Sequence, residues 1–228
     1  MKNLVPELLS TERIFDEYFK IDEKKFLIKK EGSEEKEISR LSLVRPDAVA
    51  VLIYNEELEK FTFVRQYRPA IGDKNNDTPI LEIAAGLIDD GEDPETAAER
   101  EVLEETGYKV DNLHLVYDYY PGVGYCSERV YVYIAYVSKS DKIESGGGLE
   151  IEGEMMDVVE ISVNDTFEMF QEGTFVDGKT IMILQHFMAS QIENYASYQE
   201  NKVAELEKKI KDLETANSIL KKNQLGNG

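Results

Sequence analysis

The 228 residues carry 46 acidic against 26 basic side chains, a formal net charge of −20. Such a surface repels nucleic-acid phosphates and anionic membranes, which excludes a nucleic-acid polymer or a membrane as the expected partner. An apolar fraction of 42% suffices for one sizeable packed domain with an appendage. The single cysteine, Cys126, cannot close an intrachain disulfide, and nothing resembles a signal peptide or the roughly 20 apolar residues of a bilayer span, so a cytoplasmic protein is expected.

Residues 1–43 read as an irregular start followed by short strands. Within them, 15–30 (FDEYFKIDEKKFLIKK) alternates loosely, and the polar run 31–37 (EGSEEKE) suits a hairpin connection. Residues 47–54 (DAVAVLIY) form a short apolar run expected to be a buried strand. After a turn-like stretch, 61–67 (FTFVRQY) predicts a second strand that ends among the basic residues Arg65 and Arg68, and 72–79 (GDKNNDTP) predicts a loop. Asp93 suits an N-cap, Pro94 a first helical position and Gly107 a stop, which predicts a helix over 94–106. Strands are expected at 113–120, 129–137 and 156–161, a Gly-rich loop at 145–148, and helices at 163–172 and 180–195. Strands and helices mixed without strict alternation imply an α+β or layered α/β/α domain.

The tail follows another rule. Val203, Leu206, Ile210, Leu213, Asn217 and Leu220 recur at spacings of 3 and 4, the seam of a coiled coil, with an amide at a seam position that would set register. Fewer than three heptads are marginal alone, so this helix would assist a dimer formed elsewhere; the alternative is an amphipathic helix packed on its own domain.

Between Asp89 and Glu105 stand nine carboxylates and one basic residue, Arg100. Glu101, Glu104 and Glu105, at i, i+3 and i+4, share one helix face, where like charges repel unless something positive lies against them. An all-oxygen ligand set suits a hard divalent cation, Mg²⁺ or Mn²⁺, and neither His114 nor His186 is near enough in sequence to suggest zinc.

The spacing Gly86-x5-Glu92-x7-Arg100-Glu101-Val102-x-Glu104-Glu105-x-Gly107-Tyr108 resembles the complete signature of the Nudix hydrolase family. Its chance probability is on the order of 10⁻⁹ per starting point from average residue usage. The resemblance implies a Nudix-type α/β/α sandwich with a mixed sheet, followed here by the C-terminal coiled-coil-like helix. It implies metal-dependent hydrolysis of a nucleoside diphosphate linked to another group. Carried over by position, Glu101 and Glu105 would be metal ligands, helped by the Ala85 carbonyl, and Glu104 would be a ligand or its neighbour. Gly86, Glu92, Arg100 and Gly107 would be structural parts of the motif, Glu92 and Arg100 holding its loop against its helix.

In the sugar-nucleotide branch a Glu-x-Glu before a late strand supplies the general base. Here that match is Glu152-Gly153-Glu154, which makes Glu152 the expected base and Glu154 a further metal ligand or helper, with Glu150 and Glu104 as rival bases. The stretches 63–70 (FVRQYRPA) and 81–86 (LEIAAG) look like ADP-ribose and UDP-sugar pyrophosphatases, and 146–161 (GGGLEIEGEMMDVVEI) is most similar to the UDP-glucose branch. Ala84 departs from the proline common in ADP-ribose enzymes. Arg65 and Arg68 are candidates for phosphate or sugar oxygens or for strand-end ion pairs, Glu82 for a sugar hydroxyl or an arginine, and Tyr119, Tyr120 and Tyr125 for base stacking or core roles. The expected division is 1–43 as N-terminal strands with a dimerising role, 44–195 as the hydrolase domain, and 196–228 as the tail. The expected function is cleavage of a UDP-glucose or ADP-ribose type nucleotide sugar by a homodimer. The alternatives are another Nudix substrate, such as a dinucleotide or damaged nucleotide, and a non-enzymatic sensor.

Overall fold

Two β-sheets and the helices packed on the larger one are described by the computed structural model for residues 6–29, 34–76, 78–148 and 156–191. The chain divides into two units, Met1–Ile181 and Met182–Gly228. In the first, β1 (Glu7–Asp16), β2 (Lys20–Ile28) and β3 (Lys36–Val44) form an antiparallel three-stranded sheet in that order. These strands are longer than the short ones expected in 1–43, and the loosely alternating stretch from residue 15 spans the end of β1, a turn and β2. The chain reverses between β1 and β2, where the Glu17 amide donates to the Phe19 carbonyl at 3.1 Å.

The larger sheet holds seven strands. Its path runs β10 (Met156–Ser162), β5 (Lys60–Gln66), β4 (Ala48–Asn55), β9 (Val130–Val137), β8 (Leu113–Tyr119). Two short strands lie off that path, β6 (Ile80–Glu82) on β5 and β7 (Ala84–Leu87) on β4. The pair β4–β9 is parallel and the other pairs antiparallel, so the sheet is mixed. Neither β6 nor β7 is legible from apolar periodicity, because three or four residues are too few to show a period.

Alternation along β4 and β9 sends Val49, Val51, Ile53, Tyr133, Ala135 and Val137 to one face, where they share a core with Ala97, Ala98 and Val102 of α1 (Pro94–Thr106). The opposite face carries Phe61 and Phe63, whose rings meet Phe167 of α2 (Val163–Gln171) and Phe175 at centroid distances of 6.4 and 5.4 Å. The result is the layered α+β arrangement expected of the sequence, with a mixed sheet between helices. Helix α1 keeps both predicted ends. Asp93 accepts from the Glu95 and Thr96 amides at 3.1 Å each, and Gly107 closes the helix in the left-handed region at φ 77°.

Residues 178–181 are helical at the end of the first unit and 182–191 in the second; the rest of the expected 180–195 helix lies outside the described residues. So do Glu150, Glu152, Glu154 and the whole 196–228 tail. Among the described residues no helix is long and apolar enough to cross a membrane.

Candidate active site

The buried residues of α1 include Ala97, Ala98, Glu101, Val102, Glu105 and Thr106. Its inward stripe is therefore apolar along one side and acidic along the other, and the acidic side meets β7. Glu105, only 3% exposed, accepts the Ala85 amide through Oε2 at 3.0 Å. Glu101, 8% exposed, lies against Gly86 so closely that a Cβ there would stand 1.9 Å from the Glu101 carboxyl carbon. A side chain at position 86 would displace the Glu101 carboxylate, which fills that space.

Arg100 supplies the counter-charge. Its Nε and Nη2 donate to the two oxygens of Glu92 at 3.1 and 2.9 Å, its Nη1 donates to Glu101 Oε1 at 2.7 Å and Glu104 Oε2 at 3.4 Å, and Nη2 also donates to the Leu87 carbonyl at 3.0 Å. One planar guanidinium thus ties the motif's loop, its helix and β7 together. The hydrogen bonds with Glu92 and then Glu101 outweigh burial and raise the Arg100 pKa, while Arg100 holds the Glu92 carboxyl below its ordinary value.

A second ionic cluster stands on the other side of Ala85. Arg68 donates through Nε to Glu82 Oε1 at 2.6 Å and through Nη2 to Oε2 at 3.1 Å, Lys179 also pairs with Glu82, and Lys179 Nζ lies 3.0 Å from Asp177 Oδ1. Burial is the largest influence on the Glu82 carboxyl and would raise its pKa, but the Arg68 hydrogen bonds and the Lys179 charge together lower it. Of the two roles expected for Glu82, a sugar hydroxyl or an arginine, the structure shows the arginine, with Lys179 as a second cation. The Thr180 hydroxyl accepts the Ile83 amide at 3.0 Å and donates to Asp177 at 2.6 Å, which fastens the β6–β7 connection to the start of the helical residues 178–181.

Arg68, Ala85, Gly86, Arg100, Glu101 and Lys179 border one cleft of about 610 Å³, within the range of small-molecule sites. Ala85, Gly86 and Glu101 form one side; Arg45, Arg68 and Lys179 supply positive charge. Arg45 is braced by Glu128 at 3.5 Å and by the face of Phe19, 6.0 Å from the ring centre. An adjoining cavity of about 610 Å³ shares Tyr18, Arg45, Arg68 and Glu128 and adds Phe19, Tyr125 and two prolines.

Arg65 does not line this cleft, and of its two expected roles, an oxygen contact or a strand-end ion pair, the structure shows the ion pair. Alternation puts it on the Phe61 and Phe63 side of β5, where it pairs at 4.0 Å with Asp157, its register partner on β10. Arg45, Glu128 and Lys179 went unnoticed in the sequence. They belong to no local motif, and only the fold carries them to the cleft. Tyr119 is half-buried, with its hydroxyl pKa pushed up to about 12 by burial, whereas Tyr120 and Tyr125 are exposed. His114 packs edge-on against Tyr136 at 5.4 Å, and neither histidine lines the cleft.

The donor set fits a hard divalent cation. Two buried carboxylates and a main-chain carbonyl offer only oxygen, and Mg²⁺ typically takes one or two carboxylates, keeps waters and completes its shell with substrate phosphate. Among the described residues no three His, Cys, Asp or Glu side chains gather closely enough to hold an ion by themselves.

Comparison with known proteins agrees with this geometry. Residues 44–179 match the NUDIX domain. The chain is similar to the GDP-mannose pyrophosphatase of Cronobacter sakazakii, 31% identical over 181 residues that cover 79% of this chain and 93% of that one. It is 37% identical over 143 residues to the GDP-mannose pyrophosphatase of Pectobacterium atrosepticum, covering 62% and 72% of the two chains. Against that of Escherichia coli it is 28% identical over 186 residues, 81% and 96% of the two. The relatives' names carry GDP-mannose rather than the UDP-glucose or ADP-ribose that the sequence suggested. With its signature spanning Gly86 to Tyr108, and that signature folded into a loop and helix beside a cationic cleft, the chain belongs to the Nudix family and is a pyrophosphohydrolase.

Proposed function

We propose that this enzyme hydrolyses the pyrophosphate bond of a nucleoside diphosphate sugar, GDP-mannose before UDP-glucose or ADP-ribose, to a nucleoside monophosphate and a sugar phosphate. One observation carries the reading: Glu101 lines a cleft together with Ala85, Gly86, Arg45, Arg68 and Lys179, and Glu105 lies buried on the same helix against the Ala85 amide. This pairing of acids with cations suits a diphosphate better than a neutral ligand. The relatives' names support the sugar nucleotide and favour guanine and mannose.

Glu101, Glu105 and the Ala85 carbonyl would hold the divalent cation, Mg²⁺ or Mn²⁺, which when bound supplies charge neutralisation on the diphosphate and a more acidic water. Arg68 and Lys179, held by Glu82, would orient phosphate oxygens. Glu152 is our choice for the base that takes the water's proton as oxygen bonds to phosphorus and the bridging P–O bond breaks. Glu154 would help with the cation, and Glu104 and Glu150 are the rival bases. The aromatic cavity beside the cleft would receive the nucleobase, with Tyr125 and Phe19 as its walls. The second unit's tail and the N-terminal sheet would serve a homodimer.

The test is a substrate panel of GDP-mannose, UDP-glucose and ADP-ribose with Mg²⁺ and Mn²⁺, read as monophosphate released. GDP-mannose should turn over fastest. Glu105→Gln should lose about 10³-fold in kcat, the equivalent of several kcal/mol of transition-state stabilisation. No turnover of any diphosphate sugar, or undiminished turnover in excess EDTA, would sink the proposal.

A further inference from the structure

We propose that Gly146 is a positioning residue for the carboxylates of α1, acting through a backbone interlock between residues 141–148 and the helix's C-terminal turn. This rests on the reading of Glu101 and Glu105 as cation ligands.

An α-helix leaves its last four carbonyls without donors of its own. Gly107 closes one of them, donating to the Leu103 carbonyl at 2.9 Å. The next two belong to Glu104 and Glu105, and residues far downstream serve them. The Gly148 amide donates to the Glu104 carbonyl at 3.2 Å and the Gly147 amide to the Glu105 carbonyl at 2.8 Å. The seam continues past the helix. The Gly107 carbonyl accepts from the Ile143 and Glu144 amides at 2.9 and 3.1 Å, and the Lys109 amide donates to the Asp141 carbonyl at 2.8 Å.

The two backbones lie in contact. A Cβ on Gly146 would stand 2.5 Å from the Thr106 carbonyl carbon and 2.6 Å from the Glu105 oxygen, backbone atoms that cannot rotate away. Gly146 also has φ +70°, so a side chain there is resisted by its own conformation as well. Gly107 is part of the Nudix signature; Gly146 is not.

Glu105 is consequently held at both ends, its main chain by Gly147 and its carboxylate by the Ala85 amide. A last helical turn bearing adjacent like charges tends to fray, because i,i+4 repulsion opposes it and its carbonyls face solvent. Mg²⁺ demands near-ideal octahedral geometry, so a displacement that costs the fold little would cost cation binding much. The interlock removes that freedom before the cation arrives.

The experiment compares Gly146→Ala with Gly173→Ala. Gly173 has nearly the same backbone angle, φ +76°, yet a Cβ there meets nothing within 4 Å. The Gly173 variant therefore carries the conformational strain without the contact. The readout is Mn²⁺ binding to the substrate-free protein by electron paramagnetic resonance, alongside the Mg²⁺ dependence of kcat. We expect Gly146→Ala to weaken Mn²⁺ binding tenfold or more and to raise the Mg²⁺ needed for half-maximal turnover, with Gly173→Ala matching the wild type in both. Equal Mn²⁺ affinity in Gly146→Ala and wild type, or equal losses in the two variants, overturns the proposal. If Glu105→Gln binds Mn²⁺ as the wild type does, the ligand reading fails first and the proposal falls with it, a result distinct from either of those. Should Gly146→Ala not fold, amide hydrogen exchange on the wild type decides. Gly147 and Gly148 amides as protected as those in the middle of α1 support the interlock, and exchange at the rate of an open chain overturns it.

Discussion

The carboxylate of Glu101 occupies the volume that a side chain at position 86 would need, and the guanidinium of Arg100 donates to four residues, Leu87, Glu92, Glu101 and Glu104. Both facts reduce to electrostatics in a confined space: two like charges on adjacent turns of α1 are tolerable only when donors reach them, Arg100 of the same helix for Glu101 and the Ala85 amide for Glu105. Glu82 shows the same logic with its sign reversed, one buried acid holding two cations at the cleft. Its removal should be felt in stability. Glu82→Ala leaves Arg68 and Lys179 facing each other, and should cost about 2–3 kcal/mol at neutral pH, less than the roughly 3–5 of a fully enclosed pair because Arg68 reaches solvent. The folded-state pKa of Glu82 lies below its ordinary 4.5. Its contribution is therefore complete above the unfolded-state value and is lost as pH falls through the depressed folded-state value. In urea titrations the gap between wild type and Glu82→Ala should close in acid, and a gap that persists unchanged there would refute this assignment.

At the scale of the element, α1 is specified largely by its own ends. Asp93 accepts two main-chain amides and also the Thr96 hydroxyl at 2.6 Å, so three donors converge on one carboxylate at the positive end of the helix. Asp93→Ala should therefore lower stability by about 1–2 kcal/mol, while Asp93→Ser recovers most of it. Chemical unfolding would check this, and an Asp93→Ala midpoint equal to the wild type would show that the cap is idle. The opposite end depends on a distant segment, because the Glu104 and Glu105 carbonyls take donors from Gly148 and Gly147. Local sequence describes the first end well and the second only as far as Gly107. The strands show a similar split. Runs such as β4 and β9 announce themselves by apolar content, whereas β7 is visible only through its pairing with β4 and its contact with α1.

At the scale of the molecule, the N-terminal sheet is joined to the larger domain by main-chain contacts, Leu43 to Tyr125 at 2.7 Å and Ser127 to Leu43 at 3.0 Å. Every residue of β1 is exposed, including Leu8, Leu9, Ile14 and Phe15, on an edge strand whose outer main-chain groups pair with no other strand of the sheet. Apolar side chains on an open edge invite a second chain, and a net charge of −20 works against indiscriminate association. On the homodimer reading, light scattering should give twice the chain mass for the wild type, and Leu8→Lys combined with Ile14→Lys should reduce it to one chain. A wild-type mass of a single chain at micromolar concentration would end that reading.

By itself the sequence determined the features that depend on neighbours along the chain: the caps and length of α1, the shared face of Glu101, Glu104 and Glu105, the strong apolar strands, and the Nudix signature. Each is governed by hydrogen bonds or periodicities that span only a few residues, so a linear reading finds them. Tertiary structure alone decided that Arg65 turns away while Arg45, Glu128 and Lys179 line the cleft, that Glu82 is occupied by cations, and that Gly146 abuts the end of α1. Lys179 and Glu82 are 97 residues apart in the chain yet in contact, and no local pattern encodes such a meeting. It arises when the apolar faces of sheet and helices are buried together, which fixes where every polar residue on their margins must point.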